Sequence, residues 1–278
     1  TDLKIRILLL SAITQILYLN FKDYAVTNDT VDVAKIKKLN PGLVNSLLKN
    51  IIKKKETIDK KKYNESSVPS WFINALKKNG LDLNKIIKNI TNEPSLHLIF
   101  KNKNLLKLFK EEHDKTTDLS AFILSEKKIK ELENYENGHW WVQDLSSMLP
   151  IYLSPEIKSK KILDMCAAPG GKSFQTICFD NKVTLNDISL KRIRTLRDNL
   201  IRLNFSNKIK NYDAMEIGEN EKFDVIILDS PCSGVGTLRR NPDILFKQKP
   251  PNFEFLTKIQ ENLINKAAKL LNKNGIII

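Results

Sequence analysis

From Lys160 to Ile278 the chain alternates short apolar runs with helical patterns, and this alternation constrains the fold more than any other feature. Runs at 161–165, 182–187, 208–213 and 223–229 read as strands, and a fifth begins at Gly275. Between them, 190–203 and 255–271 carry the three-four spacing of amphipathic helices, and another helix starts at Lys172. Strand and helix in turn predict an α/β fold with a parallel, doubly wound, Rossmann-like sheet. Ligands of such sheets sit outside the carboxyl ends of the strands.

The first half reads differently. Residues 1 to about 54 are helical in pattern, with Leu3, Ile7, Leu10, Thr14, Leu17 and Tyr18 predicted on one face and Leu43, Leu47, Leu48 and Ile51 on a later one. Asn40 and Pro41 are placed to cap and open that later helix. The stretch 53–62 is charged and nearly free of apolar residues, so it reads as a helix end running into a solvated linker. Next, Pro69 to Phe72 opens a short helix, 95–100 forms a strand after Pro94, and Trp140 and Trp141 lead into an apolar helix at 145–153. Adjacent tryptophans can stack on bases, but a packing cluster is the favoured reading. The expected domains are therefore 1–56, helical; 63–158, a small α+β linking and RNA-binding domain; and 159–278, the α/β domain, incomplete at its carboxyl end.

Composition bounds the function. Lys and Arg number 46 against 32 Asp and Glu, a net +14, which favours a polyanionic partner such as nucleic acid. A Lys- and Asn-rich base composition would produce the same excess, so charge alone leaves the partner open. No apolar run approaches the roughly 18 residues of a membrane span. Three cysteines, Cys166, Cys178 and Cys232, fit a reducing cytoplasm, and the scattered His97, His113 and His139 predict no metal site. Because the chain begins at Thr1, its true start is expected to lie upstream.

The turn after the first of these strands runs Asp164-Met-Cys-Ala-Ala-Pro-Gly-Gly-Lys-Ser173. Small residues there let a ligand approach the backbone. Gly-Lys-Ser resembles the end of a phosphate-binding loop, but Cys166 stands where that loop needs glycine and Pro169 removes a backbone donor. The competing reading is a nucleoside cofactor held by carboxylates. Asp187 and Asp213 end consecutive strands, suiting a ribose and an adenine without phosphate, as in S-adenosyl-L-methionine. Asp229 ends the fourth strand, ahead of Cys232 and of Arg239 and Arg240. A carboxyl group can bond a pyrimidine edge, a thiolate can attack an electron-poor ring carbon, and the arginines can hold phosphate or activate the thiol. Cys178, on the apolar helix, reads as core.

The motifs DMCAAPGGKS, NDIS with Arg192 following, and DSPCSGVGTLRRNPD resemble those of the RNA cytosine-5 methyltransferases, over about 140–278 including VQDLSS. The helical start resembles the later half of a NusB-like RNA-binding domain, in ITQILYLNFKDYAVTNDTVDVAK and PGLVNSLLKNI. That pairing resembles the bacterial RsmB/Sun type, truncated at both ends. The resemblance implies methylation of a cytidine carbon 5 in small-subunit ribosomal RNA, in the cytoplasm, by a monomer. It implies an S-adenosyl-L-methionine cradle at Cys166, Ala167, Ala168, Pro169, Gly170, Gly171 and Lys172. Asp187 would contact the ribose, Asp213 the adenine, and Asp229 would lie between cofactor and base. Lys172, Asp229 and Cys232 would form the catalytic group, with Cys232 aiding product release, and Arg239, Arg240 and Asn241 would face RNA. The attacking cysteine of the pattern follows the fifth strand and is expected beyond Ile278. Two alternatives stand: Cys232 as the nucleophile, or a non-catalytic RNA-binding or assembly protein.

Overall fold

The computed structural model describes residues 2–58, 68–90, 92, 94–154, 157–247 and 249–278. It divides into two compact units, Thr1–Ser67 and Val68–Ile278. Positions 59–62 of the charged linker lie outside the described residues.

The first unit is three helices, α1 (Leu3–Leu17), α2 (Asp23–Ile36) and α3 (Pro41–Lys53). The Asn40 side chain accepts from the Leu43 amide at 3.0 Å with Pro41 in the first position, as the sequence predicts. The buried face of α1 is a correction. Ile5, Ala12, Ile16 and Leu17 enter the core, while Leu3, Ile7, Leu10 and Tyr18 are exposed. This helix is apolar on almost every side, so spacing alone does not choose its inner face. In α3, likewise, Val44 is buried where Leu43 was expected.

The second unit holds two sheets. The smaller is antiparallel, in the order β2-β3-β1-β4, from β1 (Leu96–Phe100), β2 (His113–Lys115), β3 (Ser120–Ile123) and β4 (Trp140–Val142). Helices α4 (Ser70–Lys78), α5 (Leu83–Ile90) and α6 (Lys103–Leu108) precede or interrupt it, and α7 (Leu145–Tyr152) follows. Because side chains alternate across a strand, neighbours enter different cores. Leu98, Phe100 and Trp140 pack with Leu106 and Phe109, whereas Ile99 and Trp141 join the core of the larger sheet. Both tryptophans are buried, so packing prevails over base stacking.

The larger sheet is parallel, in the order β7-β6-β5-β8-β9. Its strands are β5 (Lys161–Asp164), β6 (Lys182–Asn186), β7 (Lys208–Lys210), β8 (Phe223–Ile227) and β9 (Leu271–Ile277), with α8 (Gly171–Ile177), α9 (Leu190–Arg202) and α10 (Phe253–Leu270) between them. This is the predicted Rossmann-like sheet, with its order reversing beside β5. Ile162, Val183, Leu185, Val225 and Ile227 fill one face, and Leu163, Ile226, Leu263, Ala267 and Leu270 the other. Strand β9 starts at Leu271 rather than Gly275, through a register shift against β8. Asn272 donates to Asp224 at 2.8 Å, and a Cβ on Gly275 would lie 3.0 Å from the Asp224 carbonyl oxygen.

Among the described residues no helix is long and apolar enough to cross a membrane. No group of three or more His, Cys, Asp or Glu among them is arranged to hold a metal ion.

Candidate active site

The site is built where β5, β6, β7 and β8 end. Asp164, the last residue of β5, is buried. It accepts from the Ser173 hydroxyl at 2.6 Å and more weakly from the Cys166 amide at 3.3 Å. Burial pushes its carboxyl up to about 7, against the pull of these bonds. Ser173 is itself wholly buried and committed to Asp164, so its hydroxyl cannot serve a nucleotide-bound metal. The phosphate-loop reading fails on that contact. Gly170 adopts φ +119°, and a Cβ there would fall 2.0 Å from the Phe174 ring. Only glycine lets the turn lie this close to α8.

Asp187 follows β6 and is buried. One oxygen accepts from the Ser189 amide at 2.8 Å and pairs with Arg192 at 3.0 Å, and the other accepts from the Ala168 amide at 3.2 Å. A carboxylate has about four acceptor sites, so these three leave one for a ligand hydroxyl. Asn186, not singled out from sequence, pins the neighbouring strand ends. Its amide nitrogen donates to the carbonyls of Met165 and Tyr212, and its oxygen accepts from the Tyr212 amide. Asp213 accepts from the Met215 amide at 3.0 Å and caps a short turn.

After β8, Asp229 meets Lys172 from α8, with Nζ 2.6 Å from Oδ2. Lys172 is mostly buried and Asp229 is 61% exposed. Two cavities open around these groups. One, of about 340 Å³, is lined by Asp164, Lys172 and Asp229 with Ala167, Ala168 and Pro169, and walled by Gln143 and Asp144 from the segment after β4. The second, of about 280 Å³, is lined by Asp187, Asp213, Ile188, Met215, Ile259 and Leu263. Cys166 lines both, so the two cavities lie on either side of this residue. Burial, with Asp164 and Asp187 nearby, pushes its thiol up to about 12, so it stays protonated.

Residues 150–278 match the family model described as 16S rRNA methyltransferase RsmB/F. The match takes in a little under half of the chain. Among similar proteins, the ribosomal RNA small subunit methyltransferase B of Pasteurella multocida is 26% identical, covering 98% of this chain and 66% of its own length. That of Photorhabdus laumondii is 35% identical over 56% of this chain and 38% of its own length. The chain thus spans about two thirds of one relative and under two fifths of the other. The fold is similar to that of PH0851, with TM-score 0.75, 18% identity and coverage of 95% of this chain and 66% of that one. It is also similar to NSun6 from Pyrococcus horikoshii, solved with SFG, at TM-score 0.61, 18% identity and coverage of 76% and 81%.

The residues singled out from the sequence do not all converge. Gly171 lines the first cavity, but Gly170 lines neither. Cys232 is exposed and also lines neither, although its neighbour Pro231 lines the second and accepts from Gln260 at 2.8 Å. Arg240 reaches the first cavity paired with Asp144 at 2.7 Å. Arg239 lines neither, and its Nε donates to the Asn92 carbonyl at 3.3 Å. Asn241 donates to Thr237 at 3.0 Å. Sequence reasoning missed Asp144, whose pairing with Arg240 spans 96 residues and leaves no local signal. Burial pulls the Asp144 carboxyl up, but bonds from the Ser146 hydroxyl and amide and the Arg240 charge outweigh it and hold it low.

Proposed function

We propose that this chain carries the cofactor-binding and base-recognising machinery of an S-adenosyl-L-methionine-dependent methyltransferase acting on carbon 5 of cytidine in small-subunit ribosomal RNA. One observation carries the reading: the cavity holding Asp187 and Asp213 and the cavity holding the Lys172–Asp229 pair share Cys166 in their linings. The first of these suits an adenosyl group. It offers the remaining acceptor site of Asp187 to a ribose hydroxyl and the apolar side chains of Ile188, Met215 and Leu263 to a purine ring. When bound, S-adenosyl-L-methionine supplies an electrophilic methyl group.

The chain's own residues do the rest by positioning. Asp229 can accept from the exocyclic amino group of cytosine, where uracil presents a carbonyl instead. Lys172 donates to the same carboxylate and fixes its direction. The base must leave its stack to reach them. Exclusion of Cys232 from both cavities supports assigning the attacking thiol to a residue outside this sequence, as the family's pattern has it after the fifth strand.

Calorimetric titration with S-adenosylhomocysteine tests the first half, and absence of binding sinks the reading. Anisotropy with cytidine- and uridine-centred oligoribonucleotides tests the second: cytidine is expected to bind more tightly, and equal affinity removes the base assignment. This chain alone is expected to transfer no methyl group to ribosomal RNA.

A further inference from the structure

Asp144 and Arg240 are shared by the cavity of the Lys172–Asp229 pair and by a third cavity of about 400 Å³. Their ion pair, at 2.7 Å, therefore stands as the partition between the two. Beyond it the outer groove is lined by Phe122, Ser95, Ser146, Thr237 and Arg239.

Phe122 is firmly mounted. It lies on β3 opposite His97 of β1, with ring centroids 4.9 Å apart at 62°. His97 is buried, and it is held by the Gln143 carbonyl at 2.7 Å and by Thr116 at 2.9 Å. Phe122 is half-buried, so the ring is supported behind while its residue still lines the groove. Across the groove Arg239 and Arg240 line the opposite side, with Arg240 paired to Asp144 and Arg239 donating to the Asn92 carbonyl. A fixed aromatic ring opposite cationic side chains is the arrangement that holds single-stranded nucleic acid, the ring meeting a base and the cations the backbone. Extruding one nucleotide into the inner cavity carries its covalent neighbour to this partition.

We propose that the outer groove takes the nucleotide next to the target cytidine, its base against Phe122 and its phosphate on Arg239 and Arg240. The assignment rests on the RNA-directed reading above. It adds a subsite that depends on the presence of a neighbouring base, with tolerance for which base that is, since every base offers a face to stack.

The test uses the full chain, saturated with S-adenosylhomocysteine, and a short single-stranded oligoribonucleotide with one central cytidine. Two further strands carry an abasic ribose on one side or the other of that cytidine. One of these is expected to bind about tenfold more weakly than the intact strand. Phe122→Ala should lose about the same factor on the intact strand and nothing further on that abasic strand. Phe122→Ile, whose β-branched apolar side chain suits a strand, guards against loss of fold and should behave in the same way while S-adenosylhomocysteine affinity is unchanged. Equal affinity for all three strands, or independent losses from abasic site and variant, overturns the subsite while leaving the methyltransferase reading intact. Failure of the unaltered chain to bind both S-adenosylhomocysteine and the intact strand overturns the two together.

Discussion

Lys172 and Asp229 sit 57 residues apart in sequence and 2.6 Å apart in space, joining the start of α8 to the end of β8. The pair is half open to solvent, so its worth to folding is small, below about 1 kcal/mol. Its value is geometric. Asp229→Ala and Lys172→Met should each leave the urea midpoint nearly unchanged while weakening affinity for a cytidine-centred oligoribonucleotide. The double variant should lose less than the sum, because each partner acts through the other. Additive losses in a double-mutant cycle would count against a joint role.

Asp187 makes the opposite prediction. Its carboxylate satisfies the Ala168 and Ser189 amides and the Arg192 guanidinium from a buried position. Asp187→Ala leaves these donors unpaired and should cost about 2–4 kcal/mol in chemical denaturation, with loss of S-adenosylhomocysteine binding. Asp187→Asn keeps one acceptor and should retain more stability than affinity.

Asp164 should make stability fall as pH rises. Its carboxyl titrates near 7 when folded and near the ordinary 3.8 when unfolded. Between those values the unfolded chain has released the proton that the folded chain still holds. The contribution is thus fully present below the unfolded value and lost as pH climbs to about 7, at up to roughly 1.4 kcal/mol per pH unit. Denaturation midpoints of Asp164→Asn, measured across this window, should lack that slope. An unchanged slope would place the titrating group elsewhere.

The cysteines should differ in reactivity. Cys166 and Cys178 are half-buried, and burial pushes both thiols up to about 12. Cys232 is exposed. Alkylation of the native chain at neutral pH, read by mass spectrometry, should mark Cys232 first and the other two only on unfolding. Early labelling of Cys166 would count against a thiol held protonated by its surroundings.

Much of the site was legible because a parallel strand is an apolar run with a polar end, and polar ends mark the ligand edge. Asp187, Asp213 and Asp229 were placed in that way. Asp164, the acid that closes the first of these strands, was not singled out. Ser173 bonds Asp164 in the interior, whereas Asp229 meets Lys172 at a site open to solvent, which is a tertiary fact. The inner face of α1 was misplaced for want of polar residues to oppose it. Strand β2, with sequence His-Asp-Lys, carries no apolar signal and exists only through pairing with β3. The early start of β9 depends on Asp224 of the neighbouring strand.

Trp140 and Trp141 are consecutive residues of one short strand, and each is anchored in a different core. The Trp140 indole donates to the Glu133 carbonyl at 2.7 Å, and that of Trp141 to Gln143 at 2.9 Å. Any hinge between the two sheets would have to pull one indole out of its packing, so the wall carrying Gln143 and Asp144 travels with the strand ends it faces. The mouth of the base cavity is consequently cast in one piece. On the proposed function, an RNA strand arriving there must do the bending itself.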